Sequence, residues 1–307
     1  MPYAEADRAD SQHDVKYLHN PRVRLFLGAA LISLSPVWVN LVSVSPTTSG
    51  VYRALFGGLA LAAYLLLTKQ RLHLSRTVWA MLLAASVFFA LDLWFWHRSI
   101  NYIGPGLATL LANFQVFFMM FAGIVLYRQT PRLVQVIAVP LALLGLGLIV
   151  GFDWKQLPQD YRLGVIFGLL TAVAYASYML TMRAVRANAV DALPLREVAI
   201  MSLTVAAILA VSAQVEGVSL AIPTMQDAGW LLGYGLLSHC LGMVLIASSL
   251  PKVSTTEAGI ALLLQPTLSF IWDELFYARP VTSTELAGAV IALVAIYLGA
   301  RPASNQA

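Results

Sequence analysis

From residue 22 onward the chain alternates between apolar runs of roughly twenty residues and short polar breaks. A helix rises 1.5 Å per residue, so about twenty apolar residues cover the ~30 Å of hydrocarbon in a bilayer. The pattern predicts spans over 23–43, 48–68, 77–98, 105–127, 132–151, 162–183, 195–215, 228–249, 255–277 and 284–300. The runs are too long and too continuously apolar for the in/out alternation of a transmembrane barrel strand. Prolines mark the joints, among them Pro46, Pro105, Pro131, Pro158, Pro194, Pro251 and Pro280. A proline in the first turn of a helix loses no hydrogen bond, because its N–H would be unpaired there anyway.

Composition sharpens this picture. Apolar residues make up 59% of the chain and charged residues 11%. A soluble domain holds about 45–50% and about 25%. The remaining polar surface is too small to wrap a water-soluble core. The net charge of +4 comes without any basic cluster that would suit nucleic acid, so none is expected as a partner. Cys240 is the single cysteine, which excludes an intramolecular disulfide and a cysteine metal site. No metal or cofactor is implied; membrane lipid and a small-molecule substrate are the expected partners. Residues 1–21 read as a polar cytoplasmic tail.

Basic residues set the orientation. With the N-terminus in the cytoplasm, fourteen of the 19 Lys and Arg residues fall inside; Arg53, Arg98, Lys155, Arg162 and Arg279 fall outside. An even number of spans returns the C-terminus to the cytoplasm. Sliding residues 105–150 onto 255–300 superimposes Ala108 on Ala258, Gln115 on Gln265 and Tyr127 on Tyr277, and Ser99 on Ser249 just upstream. Each half holds five spans, an odd number, so the second half enters the membrane inverted. The expected fold is an all-α polytopic membrane protein of ten transmembrane helices, built as two inverted five-helix repeats over 22–151 and 161–300.

Several stretches carry a family likeness. Ser35-Pro36 breaks the first span, and Tyr52-Arg53 opens the second. Trp96-His97-Arg98-Ser99-Ile100 and Gly104-Pro105-Gly106-Leu107-Ala108-Thr109 join the third and fourth. Leu143-Leu144-Gly145 and Leu286-Ala287-Gly288-Ala289 lie in the last span of each half. With the five-plus-five architecture, these stretches resemble the drug/metabolite transporter superfamily and its EamA-type members. The family commonly ends its fourth and ninth helices with Glu, where this chain has Gln129 and Arg279; Asp273-Glu274 lies slightly earlier. The resemblance implies a bacterial inner-membrane exporter of amino acids, related metabolites or drugs. It also implies a cavity framed by spans 1, 3, 4, 6, 8 and 9.

Polar side chains at membrane depth cost roughly 2.5–3.5 kcal/mol per charge on insertion scales, so they mark candidate sites. Asp92 sits in VFFALDLWFWHRSI. It could carry a coupled proton, bind a cationic group, or pair structurally with Arg53 or Arg98. Trp96 follows one turn on, on the same face, as a wall of the site or as an interfacial aromatic. Asn113 and Gln115 lie mid-span about 200° apart, so one of the two faces inward, and Gln115 is the choice; Gln265 is its repeat partner. His239 lies mid-span in the eighth helix and is the second proton candidate. Its repeat equivalent is Phe89, which suggests an Asp92–His239 pair across a central cavity. Tyr175 and Tyr178 share one face of the sixth helix, and Trp38 follows the Ser35-Pro36 break. Each could line a pore or simply pack.

These features favour a secondary transporter working by alternating access. No G-x-x-x-x-G-K-[ST] loop is present to drive transport by ATP. A channel or facilitator-type pore is the alternative, although no filter-like loop or charge ring is visible. No His-Glu-x-x-His, Gly-x-Ser-x-Gly or paired intramembrane aspartates support an enzyme.

Overall fold

A computed structural model describes residues 20–69, 74–151, 153–188, 194–249, 252–253, 255–277 and 282–300. The first nineteen residues of the polar tail, and Arg71, Pro251, Arg279, Pro280 and Arg301, lie outside them. The described residues form helices and no strands. In chain order the helices are α1 (Pro21–Ser33), α2 (Ser35–Leu41), α3 (Pro46–Leu67), α4 (Arg76–Ile103), α5 (Pro105–Ala112), α6 (Gln115–Tyr127), α7 (Leu133–Val150), α8 (Gln159–Asn188), α9 (Pro194–Glu216) and α10 (Met225–Gly233). A π-helical stretch (Tyr234–Gly242) follows, then α11 (Met243–Ser249), α12 (Thr255–Tyr277) and α13 (Ser283–Gly299).

Eight stretches among the described residues are long and apolar enough to cross a bilayer, from Pro21–Leu41 through Met225–Ser249; α13 is apolar but shorter. Large apolar side chains such as Leu67, Phe121, Leu126, Leu133 and Leu143 are exposed on the helix bundle. Such a surface suits hydrocarbon and would be unfavourable in water. Local chemistry starts the helices where the polar punctuation lies. Ser45 caps α3 by accepting from the Thr48 N–H (3.1 Å), and Ser75 caps α4 by accepting from that of Val78 (3.2 Å). Thr282 and Glu285 form a capping box at the start of α13.

Two interruptions went unread in the sequence beside the one at Ser35-Pro36. The α5–α6 span breaks at Asn113-Phe114, where Phe114 N–H bonds to Leu111 O and Phe117 N–H to Phe114 O, tightening the turn. The Asn113 amide donates back to Thr109 O (2.8 Å), a local bond that competes with regular helix. The span that begins at α10 widens into the π-helical stretch, a form that recurs at functional sites.

The helix pairings repeat when the halves are exchanged. α4 lies along α8, as the π stretch and α11 lie along α1; α4 meets α9, as the π stretch meets α3; α6 meets α8, as α12 meets α1. α3 packs on α9, and α7 on α13, each helix meeting its counterpart in the other half. At the α7–α13 crossing, a Cβ on Gly145 would fall 2.7 Å from Gly288 O, and one on Gly288 would fall 2.7 Å from Gly145 O. Only glycine permits backbones this close.

Candidate functional site

Arg53 is the centre of a polar cluster inside the bundle. It lies within α3, 8% exposed, where the charge count had treated it as a flanking residue. Its Nη1 donates to Tyr234 Oη (2.8 Å). Tyr234 lies 3.3 Å from His97 Nε2, and His97 Nδ1 lies 2.6 Å from Leu93 O. A carbonyl only accepts, so His97 carries its proton on Nδ1; Nε2 then accepts from the Tyr234 hydroxyl. The result is one directed chain, Arg53 to Tyr234 to His97 to the α4 backbone. The guanidinium also lies over the Trp96 ring (5.5 Å to its centroid) and the Tyr234 ring (5.0 Å). Among the described residues Arg53 Nε has no hydrogen-bond partner.

Asp92 is buried on α4, one turn before Trp96. The charge that acts on it is Arg53, and the two are joined by no ion pair or hydrogen bond among the described residues. The Asp92 charge also reaches Tyr175, Tyr178 and Tyr234. Tyr175 and Tyr178 lie with ring centroids 5.4 Å apart. Phe89 continues this wall, 4.8 Å from Tyr178 on one side and 6.1 Å from His239 on the other.

His239 is fully buried, with Nε2 2.8 Å from Ser202 Oγ and, among the described residues, no partner at Nδ1. Among the described residues no hydrogen bond or ion pair joins the suggested Asp92–His239 pair; His239 bonds to Ser202, and Phe89 packs against His239 and Tyr178. Gly57 makes room for the imidazole, since a Cβ there would strike its ring.

The other sequence candidates divide. Trp38 donates to Ser238 Oγ (3.0 Å), stacks near Trp230 and packs at the edge of the apolar cluster that holds Trp96 and Tyr234. Asn113 is engaged with its own helix, whereas Gln115 Oε1 is buried without a partner among the described residues. Gln265 is half-buried on α12, and its backbone carbonyl accepts from Ser269. Asp273 is buried and accepts from the Gly106 N–H (3.2 Å) at the start of α5; Glu274 is exposed.

A second polar group ties helix ends together. Glu216, at the end of α9, accepts from Arg98 Nη2 (2.6 Å), Trp94 Nε1 (2.7 Å), Thr47 Oγ1 (2.8 Å) and Ser212 Oγ (2.8 Å). It therefore links α3, α4 and α9.

The model of the EamA-like transporter family matches residues 23–151 and again 162–300. The chain belongs to the EamA-like transporter family. It is 26% identical over 266 residues to the uncharacterised inner membrane transporter YhbE of Escherichia coli K12, covering 83% of this chain and 81% of that one. It is 29% identical over 132 residues to an uncharacterised transporter of Haemophilus influenzae; the match spans 41% of this chain and 43% of that transporter. A solved crystal structure shares the fold, with a TM-score of 0.65 at 15% identity over 91% of this chain and 96% of that one. This EamA-family protein is thus an integral membrane transporter.

The sequence pointed to Arg53 only as a possible ion-pair partner of Asp92 and to His97 only within a family-like stretch, and gave no sign of Tyr234 or Ser202 as members of this transporter's polar cluster. For Arg53 a signal existed: it stands seven residues inside a helix, too deep to be a loop charge. Tyr234 and Ser202 carry no such mark, because single hydroxyls are common in membrane helices.

Proposed function

We propose that this protein is a secondary transporter that exports small metabolites, such as amino acids, or drugs by alternating access. Its ten spans form two inverted five-helix repeats, with both termini in the cytoplasm. Three things support this reading: the helix pairings persist when the halves are exchanged, the family model matches once in each half, and basic residues are biased to one side.

The observation that carries it is the composition of the Arg53 cluster. Arg53, Asp92, His97 and Trp96 come from the first half, and Tyr175, Tyr178 and Tyr234 from the second. A site built on both halves is opened to one side, then the other, when the halves rock against each other. Asp92, a buried carboxyl with no hydrogen-bonded partner among the described residues, is the proposed coupling group for protons, and His239 is the second candidate.

The test is uptake by the purified full-length protein in proteoliposomes, across a panel of amino acids and cationic drugs, under imposed pH and sodium gradients. Saturable, gradient-dependent flux is expected for at least one class. Flux that rises linearly with concentration would instead indicate a pore.

A further inference from the structure

We propose that α2 is a hinged lid over the Arg53 site, latched shut by the hydrogen bond from Trp38 to Ser238 and pivoting at Leu34. The proposal rests on the reading of that cluster as the transport site and names the part that uncovers it.

The hinge follows from Pro36. Proline offers no N–H to the Ile32 carbonyl one turn back, so the first span loses a rung there. α1 stops at Ser33 and α2 resumes at Ser35, with the Val37 and Trp38 N–H groups both turned to Leu34 O (3.0 and 3.2 Å). Carbonyls at the break are taken up by other spans. Leu31 O, which would meet the Ser35 N–H in an unbroken helix, accepts from Ser238 Oγ (2.6 Å). Ser33 O, which would meet that of Val37, accepts from Ser269 Oγ (3.3 Å). Element ends of this kind are the positions that absorb hinge motion.

The two sides of the hinge are held differently. α1 is locked to the π-helical stretch by backbone, since a Cβ on Gly28 would fall 2.9 Å from Gly242 O. The polar ties of α2 are side chains. Trp38 Nε1 donates to Ser238 Oγ (3.0 Å), and the Trp38 ring lies 5.7 Å from that of Trp230. Just past the end of α2, the Ser43 N–H donates to Asp227 Oδ1 (2.8 Å). Ser238 is the shared point: its hydroxyl proton goes to Leu31 below the hinge, and its oxygen receives Trp38 above it. Side-chain bonds break and re-form singly, which interlocked backbones cannot do. Ser35 Oγ, beside the hinge, is buried without a partner among the described residues. The closed arrangement thus keeps a polar group unsatisfied that a turned α2 can release.

α2 is placed to cover the site. Val39, 6% exposed, lies in the same apolar cluster as Trp96 and Tyr234, and Trp38 packs against that cluster. The Trp96 and Tyr234 rings flank the Arg53 guanidinium. Four residues separate α2 from α3, and Arg53 lies seven residues into α3. The seven residues of α2 rise about 10 Å, as do the first seven of α3, so lid and arginine reach the same depth. Turning α2 about Leu34 breaks Trp38 from Ser238 and lifts Val39 out of the cluster.

The test is thiol accessibility of the full-length protein in lipid nanodiscs, read with a membrane-impermeant methanethiosulfonate. Cys240→Ala removes the only native cysteine. In that background Val39→Cys reports on the lid, and Ala85→Cys, fully buried on α4 in a different apolar cluster, reports on the bundle. Val39→Cys is expected to react at least tenfold faster than Ala85→Cys. It is expected to react at least tenfold faster again once Ser238→Ala or Trp38→Phe removes the latch, with Ala85→Cys unchanged. Equal rates at the two positions, or a Val39→Cys rate indifferent to both latch variants, overturns the proposal. Latch variants that speed both positions alike have loosened the whole bundle and overturn it as well. Trp38→Phe keeps an aromatic ring in place, so it decides the matter where Ser238→Ala fails to fold. No substrate enters this measurement. A static α2 therefore leaves the transport reading standing, and a mobile α2 without saturable flux of any compound overturns the transport reading and not the hinge.

Discussion

Gly145 and Gly288 face each other so closely that a Cβ on either would lie 2.7 Å from the carbonyl oxygen of the other. The neighbours at this crossing are backbone, which cannot swing aside as a flexible side chain can. Helices α7 and α13 would have to separate to admit even one methyl group, losing packing along their whole length. Overpacking typically costs about 1–3 kcal/mol, and a rigid backbone contact belongs at the upper end. Gly145→Val and Gly288→Val are each expected to lower the thermal midpoint of the detergent-solubilised protein clearly. A midpoint unchanged in both variants would show that this crossing is looser than described.

The Arg53–Tyr234–His97 chain gives a second expectation. Tyr234→Phe keeps the buried ring and removes only the hydroxyl, so the fold should persist. It strips a partner from Arg53 Nη1 and from His97 Nε2 at once. Each buried group left unsatisfied costs about 1–3 kcal/mol. Substrate KM should rise about tenfold or more while the protein remains monodisperse. A wild-type KM in Tyr234→Phe would remove Tyr234 from the positioning of Arg53.

Glu216 gathers four donors, from Arg98, Trp94, Thr47 and Ser212. Glu216→Gln turns one acceptor oxygen into a donor, so some of those donors lose their partner. The carboxylate and Arg98 are partly exposed, with relative areas of 23% and 17%, which limits the effect through screening. A loss of about 1–2 kcal/mol is expected, seen as a fall of a few degrees in the thermal midpoint. A gain in stability would contradict the role of Glu216 as the tie between α3, α4 and α9.

Asp92 is the proposed coupling group, and that role has its own check. An imposed pH gradient should drive substrate uptake in wild-type vesicles and leave Asp92→Asn unresponsive. An equal response in both would assign coupling elsewhere, with His239→Asn as the next variant to measure.

Much of the helical framework was legible because hydrocarbon imposes a simple rule on length and polarity. The break at Ser35-Pro36 is visible as a proline inside an apolar run, and α1 stops at Ser33 with α2 resuming at Ser35. The break at Asn113-Phe114 has no such mark; it rests on a side-chain-to-backbone bond within the helix. The π-helical stretch is likewise silent in composition, yet it holds Tyr234 and His239 on the buried side of the span. Asp92 and the Tyr175–Tyr178 pair stand out as polar or aromatic positions in apolar runs. Arg53 is legible only as a possible partner of Asp92, because counting basic residues by side assigns a charge near a helix start to the interface. Its place in the bundle depends on Tyr234, 181 residues away in sequence.

Counterflow reads out whether a buried site, shared by both halves, carries its ligand by exposure to alternate sides. Proteoliposomes are loaded with unlabelled substrate and diluted into a trace of the labelled compound. A transient internal accumulation of label above its outside concentration is expected, and its loss in Arg53→Gln and Asp92→Asn. Label that only equilibrates, at a rate indifferent to the loaded substrate and to both substitutions, would contradict it.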